Sequence, residues 1–249
     1  MFIDIHCHVE NYSNEELNKI VNNALKNNVE LIVNSGTYIK SNRRSLEISK
    51  KFKEIEATIG IYPVNILKMP DKDIDKEINF IKKNEKNIIG IGEVGFEFKQ
   101  VSKETFEKQK KGFRKFIKLA QKLDKPIIIH SRKGEKEAIE LLEEMKAKKV
   151  IMHCFFGSQK LVKRIIKNNW YFTVPTCVCY NNQMQELVKM VPINRIFCET
   201  DSPYMHPKRE KINQPANVIE GYKKIAKIKR ISLGKLEKQI EQNYKKLFT

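Results

Sequence analysis

Histidine and tryptophan are scarce in this 249-residue sequence, which has five histidines and one tryptophan. It also has no apolar run of about 18 residues, the length that argues for a membrane-spanning helix. The opening stretch, MFIDIHCHVE, lacks the basic head and apolar middle of a signal peptide. From these absences we expect a cytoplasmic protein that does not bind a membrane.

Cysteine usage argues against a secreted protein held together by disulfides. The five cysteines are odd in number and lie mostly inside apolar runs, so we expect reduced thiols in the core. Cys177 and Cys179 resemble half of a zinc site, but the sequence has no second pair of this spacing. We therefore do not expect structural zinc at TCVCY.

The charge is strongly of one sign. Lysine and arginine number 48 against 30 acidic residues, which gives a formal net charge of +18 and a pI near 9.6. Such an excess favours a polyanionic partner such as nucleic acid. The lysines, however, are spread over the solvent faces of many helical segments, a pattern also typical of a lysine-rich proteome or a heat-adapted surface. Charge alone supports DNA or another nucleic acid as the partner without establishing it.

The sequence has no linker, no internal repeat and no glycine-rich dinucleotide-binding turn after its first apolar run. Short β-rich runs instead alternate with amphipathic helical segments such as 14–28 and 105–124. The predicted strands are residues 2–9, 30–36, 56–63, 87–96, 125–131, 149–155, 170–176 and 195–203. Two further helices are predicted within 213–248, and Asp71 and Ser158 are predicted to be N-caps.

Eight strands separated by helices predict parallel pairing through right-handed crossovers. The fold class that we expect is therefore α/β, a (β/α)8 TIM barrel with extra C-terminal helices that forms one domain over residues 1–249. An open, doubly wound sheet is the alternative. It is less favoured because polar residues recur at the ends of many strands, whereas such a sheet gathers them at one switch point.

The polar side chains at these strand ends are of metal-binding types. Asp4, His6 and His8 alternate along the first strand and so lie on one face. Because all strand ends of a barrel meet at one mouth, we predict that a cluster forms there. Of the five histidines, only His206 is expected outside this cluster. The predicted metal ligands are His6, His8, Glu93, His130, His153 and Asp201.

Six ligands of mixed imidazole and carboxylate type exceed what one tetrahedral zinc ion needs. They predict two divalent ions, zinc, manganese or magnesium, about 3.5–4 Å apart. His6, His8 and Asp201 would hold one ion, His130 and His153 the other, and Glu93 would bridge the two. Such a centre favours hydrolysis by an activated water, with Asp201 either as general base or as a ligand only.

The same residues lie in motifs that resemble those of TatD-type metal-dependent hydrolases over the whole chain. The motifs are IDIHCHV, GIYP, IGEVGFEF, PIIIHSR, MHCFFGS, ETDSPY and NQPANV. The resemblance implies a deoxyribonuclease that trims DNA from the 3′ end, or an enzyme that removes D-amino acids from tRNA. It also implies the same six metal ligands, with Asp201 as base and Glu93 catalytic.

The chain departs from the family pattern at a few positions near the predicted mouth. The family usually has histidine in place of Tyr62, and aspartate followed by tyrosine in place of Glu97 and Phe98. Tyr62 can still donate a hydrogen bond to a phosphate oxygen, but it cannot act as a cation. Arg132 matches a family arginine and is a candidate phosphate or carboxylate clamp, unless it only pairs with a nearby acid.

Three functions remain open at this point. The first is a two-metal phosphodiesterase acting on DNA ends or short oligonucleotides. Nearby aromatic residues would either stack on bases or only pack beside the strand ends: Tyr62, Phe155, Phe156 and Tyr204. The second is an ester or amide hydrolase, including a D-aminoacyl-tRNA deacylase, because the same activated water attacks a carbonyl carbon. The third is a nucleic-acid-binding or structural subunit with vestigial metals, which the complete ligand set disfavours.

Overall fold

The computed structural model describes residues 1–248 and contains one eight-stranded parallel sheet whose strands follow the order of the chain. The strands are β1 (Phe2–Cys7), β2 (Val29–Ser35), β3 (Ile55–Ile59), β4 (Gly90–Glu97), β5 (Ile127–Arg132), β6 (Val150–Met152), β7 (Tyr171–Pro175) and β8 (Ile196–Glu199). Each strand pairs in parallel with the next. The sheet curls into a nearly closed barrel, so the predicted (β/α)8 fold is confirmed.

Helices connect the strands and lie outside the sheet. They are α1 (Asn14–Lys26), α2 (Ile39–Lys51), α3 (Pro63–Leu67), α4 (Asp71–Lys83), α5 (Phe106–Leu123), α6 (Glu135–Glu144), α7 (Gln159–Lys167), α8 (Asn182–Met190), α9 (Val218–Lys229) and α10 (Leu233–Phe248). The last two are the extra C-terminal helices, and both pack against β1 and β8. Among the described residues, no helix is long and apolar enough to cross a membrane.

The seam between β1 and β8 closes the barrel by two kinds of hydrogen bond. Near the carboxyl ends of the strands the bonds join backbone groups, from Asp201 N to His6 O at 3.0 Å and from His8 N to Ser202 O at 2.7 Å. Lower down, the hydroxyl of Tyr222 on α9 accepts from Ile3 N at 3.1 Å and donates to Ile3 O at 3.2 Å. A side chain therefore satisfies the edge of β1 where β8 does not reach.

The predicted strands extend too far at several carboxyl ends. The first was expected over 2–9 and ends at Cys7, and the last was expected over 195–203 and ends at Glu199. The polar residues that follow these strand ends form hydrogen bonds across the mouth of the barrel. Their backbone no longer pairs with the neighbouring strand. His8, Tyr62, His153 and Asp201 consequently lie in the loops immediately after their strands, where a TIM barrel holds its reactive groups.

Helix ends were predicted with mixed success. Ser158 is the N-cap of α7, although its side chain makes no capping bond. Asp71 is not an N-cap, because Pro70 holds that position and Asp71 is the first residue of α4. Leu25, one residue before the end of α1, is 40% exposed.

Candidate metal centre

The six predicted ligands converge at the carboxyl end of the barrel, each from its own position on a strand or loop. His6 lies in β1, His130 in β5, and His8, His153 and Asp201 follow β1, β6 and β8. Glu93 was expected at the end of a strand but lies in the middle of β4. A bulge between Ile91 and Val94 in the pairing with β5 adds one residue to β4 at this point, which changes the direction of the Glu93 side chain.

Glu93 is at the centre of the cluster, with one carboxylate oxygen on each side. Its Oε2 lies 3.5 Å from His6 Nε2 and 3.4 Å from His8 Nε2. Its Oε1 lies 2.6 Å from His130 Nδ1 and 3.9 Å from His153 Nε2. Two pairs of imidazoles therefore face the two oxygens of one carboxylate, which is the arrangement that a bridging ligand needs.

Asp201 faces the same centre from the seam of the barrel. Its Oδ1 lies 3.6 Å from His8 Nε2, 3.8 Å from His6 Nε2 and 4.0 Å from His153 Nε2. Its backbone is left-handed, with φ of +54°, a conformation that aspartate tolerates better than most residues. The hydrogen bond from Asp201 N to His6 O fixes this residue beside β1.

Each imidazole is held from behind through the ring nitrogen that does not face the centre. His6 Nδ1 lies 3.0 Å from Ser35 Oγ, and His8 Nδ1 lies 2.9 Å from Ser35 O. His153 Nδ1 lies 2.7 Å from the Glu199 carboxylate. Metal-binding histidines in proteins are almost always oriented in this manner. These three rings are thus fixed with Nε2 toward the centre.

His130 is oriented in the opposite sense, with Nδ1 toward the centre. Its Nε2 lies 2.9 Å from Glu97 Oε2 and 3.2 Å from the hydroxyl of Tyr62, which itself donates to Glu97 Oε2 at 2.9 Å. Tyr62 and Glu97 are two of the positions at which the chain departs from the family pattern. They form one hydrogen-bonded group behind His130.

Electrostatics keep the carboxylates of the cluster charged. Burial alone would raise the pKa of Glu93, but His130, His6 and His8 hold that pKa well below its usual range. Asp201 follows the same pattern, since the hydrogen bond from His8 and the nearby His153 outweigh burial and lower its pKa. Burial opposes protonation of His153, yet Glu199 and Asp201 raise its pKa to about 9. The two carboxylates of the centre thus stay ionised and can attract cations.

The donor set fits divalent ions. Donor atoms of His6, His8 and Glu93 lie within 4.8 Å of one another, as do those of Glu93, His130 and His153. Two more groups of the same size are formed by His6, His153 and Asp201 and by His153, Cys154 and Glu199. Imidazole nitrogens mixed with carboxylate oxygens suit zinc, manganese or iron rather than calcium. Glu93 belongs to two of the four groups and is the donor that these two groups share.

Two cavities of about 490 and 520 Å³ open onto the cluster from different sides. Both reach His130, His153, Asp201 and Arg132. We call the first the tyrosine-side cavity, which is also lined by Glu10, Asn11, Thr37, Tyr62, Asn65, Gln100 and Tyr204. We call the second the lysine-side cavity, which is also lined by Lys99, Lys133, Cys154, Phe156, Tyr180, Asn181 and Gln183.

Arg132 and the candidate stacking residues differ in their access to these cavities. The Arg132 side chain is exposed, lines both cavities and has no ion-pair partner among residues 1–248. Tyr204 is 62% exposed at the tyrosine-side cavity, and Phe156 lines the lysine-side cavity. Phe155, by contrast, is buried in the hydrophobic core and packs on Phe172, so it is not available to a ligand.

The remaining cysteine and histidine candidates lie outside the centre. Cys177 and Cys179 are free thiols and belong to no group of three metal-ligating side chains in the described part of the chain. His206 is likewise absent from these groups, and its Nδ1 accepts a hydrogen bond from Lys208 N.

Several contributing residues were missed by reasoning from the sequence. Glu199 holds His153, and a signal for it existed, because residues 199 and 201 have the same parity at the end of one strand. Ser35 and Glu97 gave no such signal. Their roles depend on which neighbour they meet across the sheet, as when Ser35 Oγ joins His6 to Thr58 inside the barrel.

Comparisons with known proteins agree with this geometry. The family described as TatD related DNase matches residues 3–249. An uncharacterized metal-dependent hydrolase of Methanocaldococcus jannaschii is 34% identical, covering 99% of this chain and 96% of its own length. Deoxyribonuclease TATDN3 of Homo sapiens is 29% identical, over 99% of this chain and 94% of its own.

Solved structures show the same fold. The crystal structure of YJJV, a TatD homolog from Escherichia coli, superposes with a TM-score of 0.92 at 20% identity, covering 99% of this chain and 97% of that one. A TatD family protein from Entamoeba histolytica superposes with a TM-score of 0.88 at 22% identity and covers 99% and 97% of the two chains. This chain therefore belongs to the TatD family and is a metal-dependent hydrolase.

Proposed function

We propose that this chain is a two-metal phosphodiesterase that removes nucleotides from the 3′ end of DNA. The observation that carries the proposal is the position of Glu93, whose two oxygens each face a different pair of histidines. His6, His8 and Asp201 would hold one ion, His130 and His153 the other, and Glu93 would bridge them. Zinc, manganese and magnesium are the candidate ions.

The residues around this centre divide the chemical work. Divalent ions, when bound, supply positive charge beside the scissile phosphate and lower the pKa of a water molecule. Asp201 accepts the proton of the attacking water, for which its lowered pKa keeps it ionised at neutral pH. Arg132 binds a phosphate oxygen, since its side chain is exposed, lines both cavities and has no acidic partner among residues 1–248.

The two cavities support a substrate that extends on both sides of the scissile bond. Lys99 and Lys133 line the lysine-side cavity together with Arg132. These cations suit the phosphates of the DNA strand that is left after the terminal nucleotide is removed. Tyr62 and Tyr204 line the other side, which suits the terminal nucleotide, where the exposed ring of Tyr204 is available for stacking on a base. Deoxyribonuclease TATDN3, named for its action on DNA, is a relative over nearly the whole chain.

The experiment compares phosphate with ester cleavage in one preparation. The protein is stripped of metal, reloaded separately with Mg²⁺, Mn²⁺ or Zn²⁺, and mixed with 5′-labelled single-stranded DNA or with a D-aminoacylated tRNA. We expect metal-dependent shortening of the DNA from its 3′ end. Deacylation of the tRNA without DNA cleavage would instead favour the ester hydrolase, and tight binding without turnover would favour a binding protein.

Two variants test the assigned roles within the same assay. Asp201→Asn keeps a residue that tolerates the left-handed backbone, and it should lower kcat by about 10²–10⁴-fold because the proton acceptor is lost. Arg132→Gln should mainly raise KM. The matched control is Arg230→Gln, at the end of α9 and outside both cavities, which should leave both constants unchanged. A fully active Asp201→Asn would reject the assigned base.

A further inference from the structure

We infer that Glu97, held by Tyr62, is a positioning residue that fixes His130 with Nδ1 as the ligand atom for the second ion. This inference rests on the proposed two-ion centre, but it does not depend on the substrate. Neither residue belongs to the groups of metal-ligating side chains found within residues 1–248. Their effect on the centre would act through the ring of His130.

The ring of His130 lies between two carboxylates, one at each nitrogen. Glu93 Oε1 is 2.6 Å from Nδ1, and Glu97 Oε2 is 2.9 Å from Nε2. A neutral imidazole has one N–H and one lone pair. Without an ion, both nitrogens can donate to these carboxylates. With the second ion bound, the proton at Nδ1 would be lost, and the remaining N–H is held at Nε2 because Glu97 can only accept at neutral pH. The lone pair of Nδ1 would then be free for the ion. Glu97 thereby selects both the tautomer and the direction of the ring.

Glu97 is itself fixed from several directions. It is fully buried, and its Oε1 accepts from the backbone N–H groups of Lys99 and Gln100 at 2.5 and 3.0 Å. Its own backbone is held by Gln109, which donates to Glu97 O and accepts from Glu97 N. The carboxylate has little freedom to leave His130, so its orientation is set before any ion arrives.

Tyr62 completes this group at the cavity surface. Its hydroxyl donates to Glu97 Oε2 at 2.9 Å and accepts from Gln100 Nε2 at 3.1 Å. It also lies 3.2 Å from His130 Nε2, so the imidazole N–H points at two oxygens. A neutral tyrosine adds a donor to Glu97 without competing for the cation. The three side chains of Tyr62, Glu97 and His130 therefore act as one unit.

Metal titration of the stripped protein tests this inference without any substrate. Zn²⁺ is added in competition with a chromogenic chelator to the wild type and to Glu97→Ala, Glu97→Gln and Tyr62→Phe. Glu97→Ala should weaken binding of the second ion by about 10–100-fold, the usual cost of losing the residue that orients a metal-binding histidine. Glu97→Gln should lose less, because the amide oxygen still accepts from Nε2, and Tyr62→Phe should cause the smallest loss.

The matched control is Glu104→Ala, an exposed carboxylate outside both cavities, which should bind both ions like the wild type. The first ion should be unaffected in every variant. If Glu97→Ala does not fold, the affinity of Tyr62→Phe for the second ion provides the test, since this variant loses one hydroxyl and keeps the ring. Unchanged second-ion affinity in the folded variants would overturn the positioning role, whereas a wild type that binds only one ion would overturn the two-ion centre as well.

A spectroscopic measurement reports the ligand atom directly. In the zinc-loaded protein labelled with ¹⁵N-histidine, the Nε2 of His130 should carry the proton and Nδ1 should show the shift of a metal-bound nitrogen. In Glu97→Ala this pattern should be lost or mixed. Zinc on Nε2 of His130 in the wild type would overturn the inference.

Discussion

At the residue scale, the centre depends on glycines as well as on the ligands. Gly95 follows Glu93 by two residues on β4 and has φ of +143°, in the range that favours glycine. A Cβ built there would lie 1.9 Å from the carbonyl oxygen of His130. The strand that presents Glu93 therefore passes unusually close to the strand that presents His130, and only glycine permits this approach.

Gly95→Ala is predicted to damage both stability and metal binding. Strain at a positive φ costs about 1–3 kcal/mol, and the clash with the backbone of His130 adds to it. The free energy of unfolding from urea titration should fall by at least that amount, and second-ion affinity should drop because His130 is displaced. In the control Gly234→Ala, on α10, the new Cβ meets nothing within 4 Å and stability should rise by about 0.5–1 kcal/mol. Equal stability of Gly95→Ala and the wild type would contradict this account.

At the element scale, the strands and their order were predictable because each is a short β-rich run between amphipathic helices. The strand ends were not, since the alternation of polar and apolar residues in DIHCHV continues after the ladder has stopped. His6 and His8 could be placed by their period of two. Glu93 could be assigned to β4 but not to its middle, because the bulge that redirects it depends on the pairing with β5.

The packing of α6 on α7 provides a prediction at the same scale. Arg164 on α7 donates to both carboxylate oxygens of Glu143 on α6, through Nε at 2.8 Å and through its NH2 group, and Asn168 donates at 2.7 Å. The hydrogen bonds from Arg164 lower the pKa of Glu143. Glu143→Gln should lower the free energy of unfolding at pH 7 by about 0.5–1 kcal/mol, since the pair is partly exposed.

The pH dependence of this difference follows from the direction of the shift. A carboxylate with a lowered pKa in the folded state stabilises the protein above its ordinary pKa of 4.5, and this contribution is lost as the pH falls through the lowered value. The gap between wild type and Glu143→Gln should therefore be complete at pH 7 and shrink below pH 4.5. Glu140→Gln, whose carboxylate is 3.9 Å from Arg164, is the control with a smaller gap. A gap that grows in acid would contradict the assignment.

At the scale of the whole molecule, closure of the barrel is what joins the first and last ligands along the chain. Residues 6 and 201 meet because β8 returns to β1, and α9 and α10 cover that seam. The sequence predicted the closure and the two helices. It did not predict that a tyrosine hydroxyl would replace ladder bonds at Ile3, because this depends on how short β8 is.

Tyr222→Phe should separate the stability of the seam from the function of the site. The ring stays packed on Phe2, but Ile3 N–H and C=O lose their partner in a fully buried position. The free energy of unfolding should fall by about 1–3 kcal/mol. Metal affinity should be unchanged, since the backbone bonds at His6 and His8 remain. Tyr204→Phe, on an exposed side chain, should change stability by less than about 0.5 kcal/mol.

The net charge of +18 makes a prediction about how a DNA strand is held. Many lysines on the helices are paired with acids, as Lys111 is with Asp71, so total charge overstates the number of phosphates contacted. If the strand follows the lysine-side cavity, binding of single-stranded DNA to the metal-free protein should weaken with salt in proportion to those contacts. Fluorescence anisotropy with a labelled oligonucleotide at increasing KCl gives the slope. Replacing Lys99 and Lys133 with glutamine should reduce the magnitude of the slope of log affinity against log salt concentration by about 0.7 for each lysine.

The control for this measurement lies at the opposite end of the barrel. Lys125 and Lys149 border a separate cavity near the amino ends of β5 and β6, and Lys149 already pairs with Asp124. Replacing both with glutamine removes the same formal charge as the test pair. If net charge alone attracts the DNA, the slope should fall equally in both double variants. If the DNA binds in the lysine-side cavity, the slope should fall only when Lys99 and Lys133 are changed.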